Sequence, residues 1–325
     1  MVTDTSSAPA AVSCSFYASP SGSDSAAGSL QAPFQTAQQL VNSLQPGQTG
    51  CLESGTYNED VTVSQGGSAT APVILASAPG ETATIVGRFW VAQGANYVTV
   101  TGLDLDGTNA GALPSPTVNA ANTTFSYDNV TNDHTAVCFD LGSSYGVAAN
   151  TLIEYDRIHD CGILPANNHE HGIYVQDSTN ATIAWNEIYD NADRGIQLYP
   201  DAQGTTVDHN VIADNGENFD FSGDNGTAAD NSDVYDNIIA NPVDPSYNVY
   251  SWYPTGNPIG TGNTLQNNCI TGGAPNTSDG GFAATGNTTA TDPEFINATA
   301  GDFQLAATSP CQTVTGDIAA AIDAS

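Results

Sequence analysis

Thr182-Ile183-Ala184-Trp185-Asn186-Glu187-Ile188-Tyr189-Asp190-Asn191 aligns with Thr206-Val207-Asp208-His209-Asn210-Val211-Ile212-Ala213-Asp214-Asn215. The pattern returns at Asp233-Val234-Tyr235-Asp236-Asn237-Ile238-Ile239-Ala240-Asn241 and at Thr264-Leu265-Gln266-Asn267-Asn268-Cys269-Ile270. Its signature is an aliphatic residue, two variable residues, Asn, one variable residue and a second aliphatic. Upstream, Ile153 to Ile158 matches with Asp156 at the Asn position, and Val100 to Leu105 matches with Leu103 there. A second frame runs beside the first, as His171-Gly172-Ile173-Tyr174-Val175, Arg194-Gly195-Ile196-Gln197-Leu198 and Glu217-Asn218-Phe219-Asp220-Phe221, at steps of 23 residues.

Short alternating strands separated by Asn, Gly and Asp turns cannot bury an apolar face alone. Stacked rung on rung, they bury Ile, Val and Leu in continuous ladders while aligned Asn side chains bond between rungs. Asn also tolerates the left-handed backbone of a sharp corner. The sequence therefore predicts an all-β, single-stranded right-handed parallel β-helix. At 23 residues and ~4.8 Å per rung, residues 60–310 make about ten rungs. A two-sheet sandwich would need hairpin turns between neighbouring strands, and few are visible. Pro33-Phe34-Gln35-Thr36 followed by Ala37 to Leu44 reads as a short helix, capped by Thr36, that closes the N-terminal mouth and covers its sheet edge. Asp292-Pro293-Glu294-Phe295 and Asp302-Phe303-Gln304-Leu305 are expected to close the other end. The domain reading is a leader over 1–13, disordered or left by expression, then one β-helix domain over 14–325, with caps at about 14–60 and 290–325.

The chain of 325 residues has three cations, Arg88, Arg157 and Arg194, against 35 acids, a formal charge of −32. Nothing can neutralise phosphates, so nucleic acid and anionic membranes are excluded as direct partners. No apolar run approaches a membrane span, and an acidic polysaccharide is repelled unless a cation bridges it. Of the fifteen pairings open to six cysteines, the one in chain order is preferred: Cys14–Cys51, Cys138–Cys161 and Cys269–Cys311, each joining the same or adjacent rungs. With seven N-x-S/T sequons this reads as a secreted or cell-surface protein, though Met1 to Val12 has no signal-peptide pattern.

Phe16-Tyr17-Ala18-Ser19-Pro20, Gly55-Thr56-Tyr57-Asn58-Glu59, Gly102-Leu103-Asp104-Leu105, the Asn-x-Ile rungs and Asp292-Pro293-Glu294-Phe295 together resemble the pectin-lyase-like superfamily. Asn168-His169-Glu170-His171-Gly172-Ile173-Tyr174 and Asp193-Arg194-Gly195-Ile196-Gln197-Leu198-Tyr199-Pro200-Asp201 are similar to a set of bacterial β-helix proteins within it. The resemblance spans nearly the whole chain. It implies the fold strongly and the chemistry weakly, since lyases, hydrolases, esterases, isomerases and adhesins share this fold. The chondroitinase B and alginate lyase branch carries a carboxylate pair, a catalytic Lys and an Arg on successive rungs. In approximate register this chain shows His169 and His171, then Gln176, then Tyr199, so every charged catalytic position departs. The polygalacturonase motifs are absent.

The densest polar group spans three rungs: His169, Glu170 and His171; Asp193 and Arg194; Glu217, Asp220 and Asp224. Equal steps should stack His171, Arg194 and Glu217 on one outer face. Arg194 is then an exposed cation, costing ~0–1 kcal/mol to remove, that holds an anionic sugar group or orients Glu217; His171 is a proton acceptor near neutral pH. The catalytic candidates are His171, Arg194, Glu217, Glu170, Asp193 and Tyr199. Glu170 with Glu217, or Asp193 with Asp220, can form the carboxylate pair of glycoside cleavage. Substrate contacts are expected from His169, Tyr174, Gln176, Gln197, Asp220, Trp252 and Tyr253, the aromatics as stacking platforms for sugar rings. No cofactor is assigned. Asp-rich turns at Asp190, Asp193, Asp214, Asp220 and Asp224 leave Ca²⁺ open, and His169 with His171 suit a transition metal less well. The expected function is a polysaccharide lyase or glycoside hydrolase acting on an extended glycan along an outer groove. The alternative is a non-catalytic surface, adhesive or filament-forming protein that self-associates.

Overall fold

Three ladders of parallel strands wind around one apolar interior. The computed structural model describes residues 13–244 and 247–323, so the proposed leader lies outside the described residues except for Ser13. Within them the strands form sheets of eleven, nine and ten strands, each joined to the rung before and the rung after. Val100, Phe125, Ile153, Ile183, Val207, Val234 and Leu265 make one continuous buried ladder. The nine-stranded sheet carries a second, from Phe139 through Ile173 and Ile196 to Phe219 and Val249. The 23-residue step holds only in this sheet, from Thr117 to Asp140 and again from Ile173 through Ile196 to Phe219. From Phe219 to Val249 the step is 30 residues, and the ladder continues across it.

The repeated Asn residues point inward. Asn186, Asn210, Asn237 and Asn268 are fully buried, and the backbone N–H of each donates to the side-chain oxygen of the next in line, at 2.9 Å each, ending at Asn287. Their amide nitrogens donate to carbonyls one rung back, such as Ile153 O and Ile183 O. Asp156 and Asp128 continue the same ladder upstream. The left-handed corner falls one residue before the ladder Asn, at Trp185, His209, Asp236 and Asn267, with φ of 53–59°. This corrects the expectation that the Asn itself takes that conformation: the corner turns the chain so that the following side chain aims inward. Two of those corner residues are large rings, and Trp185 stacks on His209 at 4.4 Å.

The N-terminal helix spans Ala37–Ser43, with Thr36 accepting from Gln39 N. It buries Ala37, Leu40 and Val41 against the first rungs. A Cβ on Gly50 would lie 2.9 Å from Leu40 Cγ, so glycine lets the helix seat there. The C-terminal segment departs from expectation. It does not close the far end but folds back along the outer face of the ten-stranded sheet, packing Phe303, Leu305, Ile318 and Ile322 against Val211, Ala213, Ile238 and Ala240. The last strand of the eleven-stranded sheet, Phe282–Thr285, stays largely exposed. All three disulfides pair in chain order, with Cα–Cα distances of 5.7, 5.6 and 5.4 Å. Cys269–Cys311 staples this returning segment to the sheet rather than joining neighbouring rungs. Among the described residues no helix is long and apolar enough to cross a membrane.

Candidate active site in the outer cleft

The strands Ile173–Thr179, Arg194–Gln203, Glu217–Ser222 and Val249–Trp252 lie side by side in the nine-stranded sheet. Ile173, Val175, Ile196, Leu198, Phe219 and Phe221 face the interior and are fully buried, so the residues between them face outward. One outward row is Asp140, Tyr174, Gln197, Asp220 and Tyr250. Beside it stand Gln176, Tyr199 and Trp252. On the other side, Arg194 pairs with Glu217, and Gly172 N donates to Arg194 O at 2.9 Å, placing His171 on the neighbouring rung. These rows line a cleft of about 830 Å³.

Strict alternation would turn His171 and Arg194 inward, because each lies two residues before an inward Ile. Glycine resolves this. A Cβ on Gly195 would lie 2.7 Å from Asn215 Nδ2 and 2.9 Å from Ile212 Cγ2; one on Gly172 would lie 2.8 Å from Asn191 Nδ2. The glycines thus fit against a second Asn ladder, in which Asn191 Nδ2 donates to Asn215 (2.8 Å) and Asn215 Nδ2 to Asn218 (3.0 Å). In the third rung Asn218 takes the glycine position and joins that ladder, leaving Glu217 outward like His171 and Arg194. This is the physical content of the repeated His-Gly and Arg-Gly steps.

Arg194 is 7% exposed. Its Nη1 donates to Asp193 at 3.0 Å, Nη2 lies 3.2 Å from Glu217 Oε2, and Nε lies 3.3 Å from Asp220 Oδ2 while donating to the Tyr250 hydroxyl at 2.7 Å. That hydroxyl in turn donates to Glu217 Oε2. Burial alone would lower the Arg194 pKa, but Asp220 and its neighbours outweigh it, so the cation is held more firmly than usual. Glu217 is raised: burial dominates over the opposing pull of Arg194 and the Tyr250 hydrogen bond. His171 is buried and held well below the usual histidine range by desolvation, then by Arg194 and His169, so it is neutral. At 4.0 Å from Asp193 it has no close counter-ion. Asp140, also desolvated, is pushed up to about 7 against the pull of Arg88.

The model of the right handed beta helix region matches residues 117–300, more than half of the chain. The chain belongs to the right-handed β-helix family. Its curated relative, Pectate lyase PEL9 of Emericella nidulans, is 28% identical over 193 residues, 57% of this chain, and the chain spans about two fifths (41%) of that protein's length. The crystal structure of pectate lyase Pel9A superposes with a TM-score of 0.64 at 15% identity, covering 91% of this chain and 90% of that one. A complex of XylC with xylose gives 0.63 at 12% identity, over 85% and 69%. The two superpositions show the β-helix fold, and the named activities are those of the proteins compared.

This β-helix protein brings nine of the expected site residues into the cleft: His169, His171, Tyr174, Gln176, Arg194, Gln197, Tyr199, Glu217 and Trp252. Four others do not line it. Glu170 is buried, accepting from Ile163 N at 3.1 Å, and so pins the preceding loop. Asp193 and Asp220 are buried counter-ions of Arg194, and Asp220 also accepts from Gln197 at 2.9 Å. Tyr253 turns away over Gly260 and Gly281, where a Cβ on either glycine would lie 2.6 or 2.3 Å from its hydroxyl oxygen. Arg194 is not the exposed cation that scarcity suggested, and His171 is a poor proton acceptor. Tyr250, Tyr247, Asp140 and Asp244 line the cleft unanticipated. Tyr250 was hidden by the 30-residue step, although the alternation in Val249-Tyr250-Ser251-Trp252 carried the signal. Among the described residues no group of three or more His, Cys, Asp or Glu side chains is arranged to hold a metal ion.

Proposed function

We propose that this β-helix protein is a secreted enzyme that cleaves an extended glycan lying along the cleft, with Glu217 as the proton-transferring group. One observation carries the reading. The Glu217 carboxylate opens on the cleft, and both its tyrosine and arginine contacts fall on Oε2. Among the described residues no hydrogen bond or ion pair falls on Oε1, which leaves it for substrate. Burial raises its pKa, and a carboxyl that keeps its proton nearer neutrality suits general acid catalysis. Arg194 and Tyr250 fix its position, and the ring of Tyr199 lies 6.2 Å from that of Tyr174 on the neighbouring strand and 6.3 Å from that of Trp252 two strands away. Such a row offers successive stacking surfaces for sugar rings. The carbohydrate-active relatives support the class of substrate, and three disulfides support secretion.

The test is Glu217→Gln on the first glycan cleaved, with products followed both by reducing ends and by the ultraviolet absorbance of unsaturated uronates. Loss of a positioned proton donor lowers turnover by about a hundredfold or more, while the neutral amide still accepts from Tyr250 and melting changes little. Unchanged turnover in this variant would refute the assignment.

A further inference from the structure

We infer that the cleft takes an uncharged glycan, and that cleavage there is hydrolysis rather than β-elimination of a polyuronate. The inference rests on the cleft being the glycan site. Binding a polyuronate requires a cation for each seated carboxylate. Arg194 is the arginine that lines the cleft, and each of its three nitrogens already meets an acceptor: Asp193, Glu217, and Asp220 with Tyr250. Its three carboxylate partners outnumber it. Two further acids, Asp140 and Asp244, line the same walls. Neither of the other arginines lines the cleft, although Arg88 is near enough to offset the charge of Asp140. Arg88 lies 5.0 Å from the Trp90 ring, and Arg157 pairs with Glu187 and Asp323 on the ten-stranded sheet. There is no lysine in the chain. Within ~10 Å, the screening length at ordinary ionic strength, a seated uronate would meet more carboxylates than cations.

The remaining surface suits neutral sugars. Trp252, 47% exposed, and Tyr199 present rings, and Gln176 and Gln197 bring amides to the same cleft. For hydrolysis a second carboxylate is needed beside Glu217. Asp244 is the second carboxylate of this proposal: its backbone N–H donates to Gly216 O at 2.9 Å, on the residue before Glu217, and it lines the same cleft. Glu217 gives its proton to the bridging oxygen as the anomeric carbon–oxygen bond breaks. Asp244 takes a proton from the water whose oxygen bonds to the anomeric carbon. One water is added per linkage, and the product carries no double bond.

The experiment is native electrophoresis of the intact protein through gels holding either a neutral polysaccharide (xylan, mannan, galactan, arabinan or β-glucan in turn) or a polyuronate (polygalacturonate or alginate), the latter with and without Ca²⁺. Wild type should be retarded by at least one neutral glycan and by neither polyuronate. Trp252→Ala should migrate at full speed with unchanged melting. Retardation by a polyuronate in either buffer, or by no glycan at all, overturns the inference. Reducing ends released from the retarding glycan, and lost in Glu217→Gln, support both readings. A neutral glycan bound but never cleaved would sink the proposed cleavage while upholding the class of ligand.

Discussion

A guanidinium enclosed by three carboxylates and a tyrosine hydroxyl is first a structural counter-ion. Removing Arg194 would leave Asp193 and Asp220 as buried carboxylates without their counter-ion, the situation that costs about 3–5 kcal/mol when one side of a buried ion pair is deleted. Arg194→Ala is therefore expected to lower unfolding free energy by about that amount in urea, and Arg194→Lys to recover part of it, since a lysine supplies the charge without the fork. The expectation for an exposed arginine, ~0–1 kcal/mol, does not apply once the side chain is 7% exposed. Gly195 is constrained from the opposite side. Its φ is not the issue; the missing Cβ is, because Asn215 and Ile212 occupy that space. Gly195→Ala should cost about 1–3 kcal/mol by overpacking, measured by the same unfolding curves, and should displace Arg194 from its partners.

At the scale of the element, the buried Asn ladder contains two members of a different kind. Asp128 and Asp156 accept from the neighbouring backbone through Oδ1 as the asparagines do, but the Oδ2 of each is buried with no partner. A proton on Oδ2 would let each carboxyl donate to the carbonyl one rung back, as the Asn amides do. Burial accordingly raises Asp128 to about 8 and Asp156 well above its ordinary value. The folded protein thus holds these protons over a window, from about pH 4 to about 8, in which the unfolded chain has released them. Stability is full at the acid end and falls as pH rises through that window. Asp156→Asn supplies the donor permanently. It should raise the melting temperature at pH 8 by at least about 2 °C, leave it nearly unchanged at pH 4, and flatten the slope between. An equal shift at both pH values would contradict the protonated ladder.

Across the whole molecule, the returning C-terminal segment is what a rung-by-rung solenoid does not require. It covers the apolar outer face of the ten-stranded sheet, is tied down by Cys269–Cys311 across 42 residues, and is pinned at its end by Arg157 to Asp323. A loop of that length is worth about 4 kcal/mol of restricted unfolded chain. The paired variant Cys269→Ser with Cys311→Ser should lose roughly that stability and bind a hydrophobic dye as Val211, Ala213, Ile238 and Ala240 become accessible. The other two disulfides should leave the dye signal unchanged when removed, because neither anchors this segment.

The fold and the helix Ala37–Ser43 were legible in the sequence because they follow from local periodicity. An Asn that recurs beside aliphatics has only a stacked ladder in which to satisfy a buried amide. Chain order also gave all three disulfides, but only Cys14–Cys51 and Cys138–Cys161 join rungs close in sequence; Cys269–Cys311 pairs because the last segment folds back on the sheet. The equal spacing of His171, Arg194 and Glu217 likewise survived, since a strand step is counted in residues. What only the tertiary structure decided is how those side chains are surrounded. Spacing could not reveal that Arg194 is saturated by carboxylates, that Tyr250 reaches the site after a 30-residue step, or that the last segment turns back along the rod. Those depend on loops of irregular length and on burial, which a one-dimensional repeat does not encode.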